Sequence, residues 1–224
     1  MSGFAERFAA LRAEIAAEAR ACGRDPQSIR ILGVSKRQPA SAIIEAAAAG
    51  LTAIGENYVQ EAKEKFAQLP PLEKHFIGHV QTNKTKQLVA LFDVVQSVDR
   101  ADAAVALGNA AARAGRVLPV LVQLNISPAE RFGCPPDEAG ALAETIRAQA
   151  ALRLDGVMAI GPITEDRSET ERAFALAAKT FARLGGSTLS IGMSGDWREA
   201  IRAGSTMVRI GTALFGRRPG NEHV

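Results

Sequence analysis

Aromatic side chains are scarce in this chain: there is one tryptophan, Trp197, one tyrosine, Tyr58, and 5% aromatic residues in all. That scarcity excludes a stacking platform for single-stranded nucleic acid, which needs several aromatic faces in succession. Cysteine is nearly absent. Cys22 and Cys134 stand far apart with no CxxC and no metal-ligand spacing, so neither a disulfide framework nor a zinc site is expected, and each reads as a packed or incidental thiol. Blocks of like charge are missing too, and a net charge of +3 over 224 residues implies no nucleic-acid partner. Lys84, Lys86, Arg217 and Arg218 read most simply as solvated surface residues. No apolar run approaches membrane-spanning length, and Met1 to Phe8 carries Glu6 and Arg7 where a signal peptide has an apolar core. The expectation is a cytoplasmic protein with no membrane partner.

What is abundant is aliphatic. Hydrophobic residues make up 47% of the chain with few rings among them, so the core must be built from Ala, Val, Leu and Ile, which suits close packing of helices on a sheet. Phe4, Phe8, Leu11 and Ile15 recur at helical spacing and predict an amphipathic opening helix ended by Cys22-Gly23. A compact apolar run from Ile29 to Val34 follows, in which Gly33 lets another group come close, and it ends in Ser35-Lys36 before Arg37-Gln38-Pro39 breaks it. From there strands and helices alternate. The Ala-rich stretch Ala40 to Ala49 reads as a helix stopped by Gly50, Ala53-Ile54 as a strand, and Asn57 as the cap of a helix carrying Val59, Ala62 and Phe66. Further strands are expected at His75 to His79, Asp93 to Gln96, Val117 to Asn125, Leu152 to Ile160, Thr188 to Ile191 and Met207 to Ile210. Helices are expected between them at Thr82 to Leu91, Arg100 to Ala114, Asp137 to Gln149, around Phe174 to Leu184, and at Trp197 to Ala203. About eight strands alternating with helices is the sequence form of an α/β fold of one kind, a (β/α)8 TIM-type barrel with an extra N-terminal helix. An open doubly wound sheet is the alternative, but no GxGxxG opens the first strand-to-helix turn and no linker divides the chain, so residues 1–224 read as a single domain.

In such a barrel function sits at the carboxyl ends of the strands. Polar residues gather there: Lys36 after the first strand, Glu56-Asn57-Tyr58 after the second, Gly192-Met193-Ser194 after the seventh, and Arg209-Ile210-Gly211-Thr212 at the eighth. Glycines that admit an oxyanion to the backbone, hydroxyls at Ser194 and Thr212, and a short helix beginning after Ser194 together resemble a phosphate cradle, and barrels often hold phosphate with the last two loops. Each piece also has a plainer reading: Lys36 as a charge that snorkels to solvent from the strand end, the glycines as unliganded turns, Arg209 as half of a structural ion pair. Taken as a set, a lysine on the first strand beside a phosphate site on the seventh and eighth is the arrangement that pyridoxal phosphate requires, with Arg209 in reach of its pyridine nitrogen. His75 and His79 stand at even spacing on the expected third strand, but no carboxylate or cysteine joins them, so a metal is not expected and His79 reads as a hydrogen-bonding group at the rim.

The segments GVSKRQP, GENYVQE, HFIGHVQTNKTK, LNIS, MAI, IGMSGDW and AGSTMVRIGTALFG, in this order from Ile31 to Gly216, resemble the pyridoxal-phosphate-binding homeostasis protein family of the YggS and PROSC type. His79, the form Met193-Ser194-Gly195-Asp196 followed by Trp197 that the family's MSxD segment takes here, and the MAIGP form of its MAIPP are departures from its pattern. The resemblance implies a barrel similar to the N-terminal domain of bacterial alanine racemase, with Lys36 carrying pyridoxal 5'-phosphate as a lysine aldimine. It implies that Ser194, Gly211 and Thr212 hold the phosphate, that Arg209 faces the pyridine nitrogen, and that Asn57 lies near the cofactor.

Whether the cofactor would be put to catalytic use is a question of acid and base groups. Racemisation needs one on each face of the substrate carbanion, and Lys36 supplies one. In the racemase that this barrel resembles the second is a tyrosine from another domain, which this sequence is not expected to have. Tyr58 reads as a packing residue. An arginine at the pyridine nitrogen keeps it unprotonated and weakens the ring as an electron sink. The expectation is therefore a non-enzymatic, monomeric carrier of pyridoxal phosphate in vitamin B6 homeostasis, with apo forms of enzymes that use the cofactor as possible partners. A racemase of low activity on small amino acids is one alternative, and a cofactor-free Schiff-base aldolase is another.

Overall fold

The structure, a computed structural model, describes residues 3–127 and 132–216. Eight strands close into a barrel in chain order: β1 (Arg30–Val34), β2 (Ala53–Glu56), β3 (Glu73–Phe76), β4 (Val94–Val98), β5 (Leu118–Asn125), β6 (Leu152–Ile160), β7 (Thr188–Ser190) and β8 (Met207–Ile210). Every neighbouring pair is parallel, and β8 returns to β1 with Leu32 opposite Arg209 and Gly33 opposite Ile210. The helices are α1 (Phe4–Ala21), α2 (Ala40–Ala48), α3 (Val59–Phe66), α4 (Thr85–Leu91), α5 (Ala101–Arg113), α6 (Ala139–Arg147), α7 (Arg167–Leu184), α8 (Trp197–Arg202) and α9 (Thr212–Phe215). The expected barrel, and the helix ahead of it, are what the chain forms.

Two separate apolar packings explain how the sequence holds this shape. The larger lies between the sheet and the helices and takes alternate strand residues such as Ile54, Val95, Val122 and Val208. A small one, Leu32, Ala53 and Met207 with Ile77 against them, lies in the barrel interior. Because strand side chains alternate, the interior residues mark the phase of each strand. Lys36 continues the phase of Leu32, Asn57 that of Ala53, and Arg209 and Gly211 that of Met207. Gly33, in the opposite phase, faces the helices: a Cβ there would lie 2.6 Å from Leu51 Cδ2, which is the close approach its place in the strand predicts.

α1 lies over the seam where β8 meets β1. Its buried stripe Phe4, Phe8, Leu11, Ile15 and Ala19 joins the outer core, the Phe4 ring sits 5.2 Å from that of Phe215, and Arg7 Nε donates to the Leu214 carbonyl at 2.7 Å. Just past the helix, Arg24 donates to the carbonyls of Ile201 and Ser205, both at 2.8 Å. The opening segment thus ties α8 and α9 to the first strand.

Several local readings are corrected. The third strand stops at Phe76, so His79 lies in the following loop and does not share a strand with His75. Asn57 does not cap α3; Tyr58 occupies that position and makes no side-chain cap, while Asn57 continues the line of β2. Thr82 to Leu91 divides into a 3-10 turn, Thr82–Lys84, and α4. α9 is an additional helix after the last strand. Arg217 and Arg218 lie outside the described residues. Cys134 is buried and burial pushes its thiol up to about 12, whereas Cys22 is exposed. A thiol reagent at neutral pH should therefore modify Cys22 in the native protein and reach Cys134 only after denaturation; mass mapping of labelled peptides reads the two separately.

Candidate functional site

Lys36 stands in a turn that is fixed on both sides. Ser35 N–H donates to Gly55 O at 3.0 Å and Gln38 N–H to Ser35 O at 3.0 Å. Arg37 has φ 62°, the only positive φ outside glycine among the described residues, a strain of on the order of 1 kcal/mol that something must hold. What holds it is a cluster from β2 and α3. The Arg37 N–H donates to Glu61 Oε2 at 2.8 Å, Ser35 Oγ donates to Glu56 Oε1 at 2.8 Å, and Lys65 Nζ donates to Ser35 O, Glu56 Oε1 and Glu61 Oε2 at 3.2, 3.0 and 2.8 Å. Glu56 is fully buried; burial raises its pKa, and Lys65 and Ser35 draw it back down. Both chain neighbours of Lys36 are therefore anchored by side chains that the sequence alone did not single out. The signal was present: Glu56 and Glu61 are the two glutamates of GENYVQE.

The last two loops meet the first strand through the closing pair. Gly192, with φ 94°, lies where a Cβ would fall 2.5 Å from Ala200 Cβ, so only glycine lets the β7 loop pack on α8. Met193 N–H donates to Asp196 Oδ1 at 2.5 Å, and this closes a turn with Ser194 exposed at its tip. Gly211 occupies the N-cap position of α9, Thr212 opens that helix, and the Cβ position of Gly211 is 3.5 Å from Val34 Cβ, two residues before Lys36. Lys36, Gly211 and Thr212 are thus brought to one end of the barrel, and Ser194 to the same rim.

Arg209 lies inside the barrel, 4% exposed. Its Nη1 donates to Ser190 O at 2.5 Å and Ser190 Oγ at 3.0 Å, and its Nη2 to Ala159 O at 2.8 Å. Burial lowers the guanidinium pKa to about 10, against the opposing pull of Asp196, so it stays cationic at neutral pH. The plainer reading, a structural ion pair, is not what these contacts make: the hydrogen-bond partners of Arg209 are carbonyls and a hydroxyl. Asp196 acts on it through space, and burial raises the Asp196 carboxyl while Met193 N–H and Arg209 lower it.

The other side of the mouth is a cavity of about 880 Å³ lined by Asn57, Tyr58, His79, Gln123, Asn125 and Phe132, among others. Asn57 Oδ1 is buried and accepts no hydrogen bond. His79 stacks on Phe132 with centroids 4.0 Å apart, and its Nδ1 is 3.8 Å from Asp99 Oδ2. Tyr58, expected to pack, is instead 49% exposed and lines this cavity. Lys36 and Arg209 are not among its walls, so the mouth has two halves: lysine, arginine and hydroxyls toward β1, β7 and β8, amides and rings toward β2, β3 and β5.

The family model for the alanine racemase N-terminal domain matches residues 8–219. The pyridoxal phosphate homeostasis protein of Pseudomonas aeruginosa is 46% identical over 97% of both chains. The chain belongs to the pyridoxal phosphate homeostasis protein family. Among solved structures, PipY of Synechococcus elongatus with pyridoxal phosphate bound superposes with a TM-score of 0.85 at 35% identity, over 96% of this chain and all of PipY. Alanine racemase of Clostridium difficile shares the fold with a TM-score of 0.69 at 15% identity, and this chain spans 58% of it. PipY thus shares the architecture from which Lys36 and Arg209 are presented.

The cluster behind Lys36 makes a direct prediction. Lys65→Met leaves the fully buried Glu56 without its cation and should cost about 3–5 kcal/mol in urea denaturation. Adding Glu56→Gln should recover most of that loss, because an amide carries no charge to strand. Equal stability of Lys65→Met and the wild type would show that the cluster does not hold the turn.

Proposed function

We propose that this chain binds pyridoxal 5'-phosphate at the carboxyl ends of its barrel strands, tethers it at Lys36, and serves as a cytoplasmic, monomeric carrier that hands the cofactor to apo-enzymes. Residues 1–224 then act as one cofactor-binding domain. The single observation that carries this reading is the closure of β8 on β1, which sets the Lys36 turn beside Gly211 and Thr212.

The residues present fit the group. When bound, the cofactor supplies an electrophilic aldehyde and a conjugated pyridine ring. The Lys36 amine, in its anchored turn, is the partner for the aldehyde. Ser194 and Thr212 hydroxyls, with the backbone at Gly211, receive the phosphate at the rim, where the first amides of a helix have no intrahelical acceptors. Arg209 lies on the interior phase of β8, between that rim and the barrel floor, and is the cationic donor for the ring nitrogen. Asn57 Oδ1, buried without a partner, is an acceptor for a donor that the bound ligand brings.

Support for a carrier without turnover comes from the same groups. A permanently cationic arginine opposite the ring nitrogen does not protonate it, so the ring is a poor electron sink. The groups at the mouth that could act as a second proton carrier are Tyr58 and His79, and His79 is stacked against Phe132. Tyr58 is the observation that favours the second reading, a slow racemase, because it is exposed at the mouth and not packed away.

Two measurements test these statements. Equilibrium binding should show Ser194→Ala with Thr212→Val weakening pyridoxal phosphate by at least about tenfold, from the loss of hydrogen bonds to a charged group, while affinity for pyridoxal, which lacks the phosphate, is unchanged. Parallel losses for both ligands would move the phosphate site elsewhere. With L-alanine, the loaded protein should produce no more D-alanine than free cofactor does; rapid exchange that disappears in Tyr58→Phe would establish the racemase reading in its place.

A further inference from the structure

Beneath Arg209 a line of buried polar side chains crosses the barrel interior. Ser190 Oγ donates to Gln96 Oε1 at 2.7 Å. Gln96 Nε2 lies 2.8 Å from His75 Nδ1 and 3.2 Å from Met207 Sδ. His75 Nε2 lies 3.5 Å from Glu73 Oε1, in a geometry that makes no hydrogen bond, and Glu73 is in turn paired with Arg30 at the amino-terminal end of the barrel. His75, Gln96, Ser190 and Arg209 are each no more than 4% exposed. They come from β3, β4, β7 and β8, so the contacts run through the centre of the barrel, where unmade hydrogen bonds are costly.

The direction of every hydrogen bond in this line follows from its one permanent cation. Arginine can only donate. Ser190 Oγ therefore accepts from Arg209 and must send its own hydrogen to Gln96 Oε1. That places the Gln96 NH2 group toward His75, so His75 Nδ1 accepts and its hydrogen stands on Nε2, toward the Glu73 carboxylate. The groups that face His75 are Glu73 on its own strand, with Arg30 of β1 behind it, and the neutral Gln96 of β4, whose Nε2 also lies against the Met207 thioether of β8. Reversing the Gln96 amide would leave the Ser190 hydroxyl hydrogen without an acceptor next to Arg209.

We propose that Gln96 is the positioning residue for Arg209: its amide, held between His75 and the Ser190 hydroxyl, fixes that hydroxyl and hence the guanidinium that meets the cofactor ring. The cofactor half of this statement rests on the function proposed above; the hydrogen-bond half does not. It adds to the family's lysine, arginine and phosphate groups a support that reaches to the opposite end of the barrel. Through it, the tautomer of a histidine remote from the cofactor becomes part of how the ring nitrogen is held.

The test uses the full chain with and without pyridoxal phosphate. In the cofactor-free protein, long-range proton–nitrogen NMR of His75 should show the hydrogen on Nε2. Gln96→Glu, which offers only acceptors to both neighbours, should place a hydrogen on Nδ1, a change that a space-filling role would not produce. Gln96→Met keeps the volume and removes the bonds; it should shift the Arg209 side-chain resonances and, in the loaded protein, move the visible absorption band. If Gln96→Met does not fold, Ser190→Ala cuts the line at its next link and should give the same two shifts. A wild-type His75 with its hydrogen on Nδ1, or Arg209 resonances unmoved by these variants, overturns the proposal. Shifted Arg209 resonances with no bound cofactor at all would instead overturn the cofactor reading and leave the positioning of Arg209 standing.

Discussion

The parallel pairing of β8 with β1 is the contact on which the site depends. It closes the barrel, removing both sheet edges, and in the same hydrogen bonds it sets Leu32 beside Arg209 and Gly33 beside Ile210. Lys36 and Gly211 are separated by most of the chain, yet each follows its strand by only a residue or two. Their meeting is thus a property of closure and not of any local motif. α1 and Arg24 brace this seam from outside by holding α8 and α9. On the inside, Leu32 and Met207 pack in one small cluster with Ala53.

Two cations share that mouth, and the structure treats them differently. Arg209 is buried and satisfied by carbonyl oxygens and a hydroxyl, which hold a guanidinium in one orientation without neutralising it. Lys36 sits on a turn whose neighbours are clamped by Glu56, Glu61 and Lys65. A fixed arginine and a lysine on an anchored turn suit a site that holds a ligand in one pose. The alanine racemase fold shows that the same barrel occurs within longer chains, and chemistry on it depends on which acid and base groups reach the mouth.

The barrel itself was legible because its signals are periodic: eight apolar runs, each followed by an amphipathic stretch and a turn. The positions of Lys36, Arg209, Gly211 and Thr212 on and just past β1 and β8 were legible because the strands themselves were. The errors came from reading short stretches in isolation. Asn57 has the residue type of a helix cap, but it follows directly on β2 and lines the mouth, with Tyr58 beside it in the cap position. His75 and His79 have strand spacing, but β3 ends between them, so one joins the interior line and the other stacks on Phe132. The interior line itself could not be read in advance: Gln96 meets Ser190, 94 residues away, and nothing local marks either as the other's partner.

The most direct test of the account is to incubate the protein with pyridoxal phosphate, reduce it with borohydride and map the modified peptide. The account predicts one stoichiometric modification, on Lys36, and none in Lys36→Ala. Equal labelling of Lys36→Ala, or a label carried by Lys65 or another lysine, would contradict it.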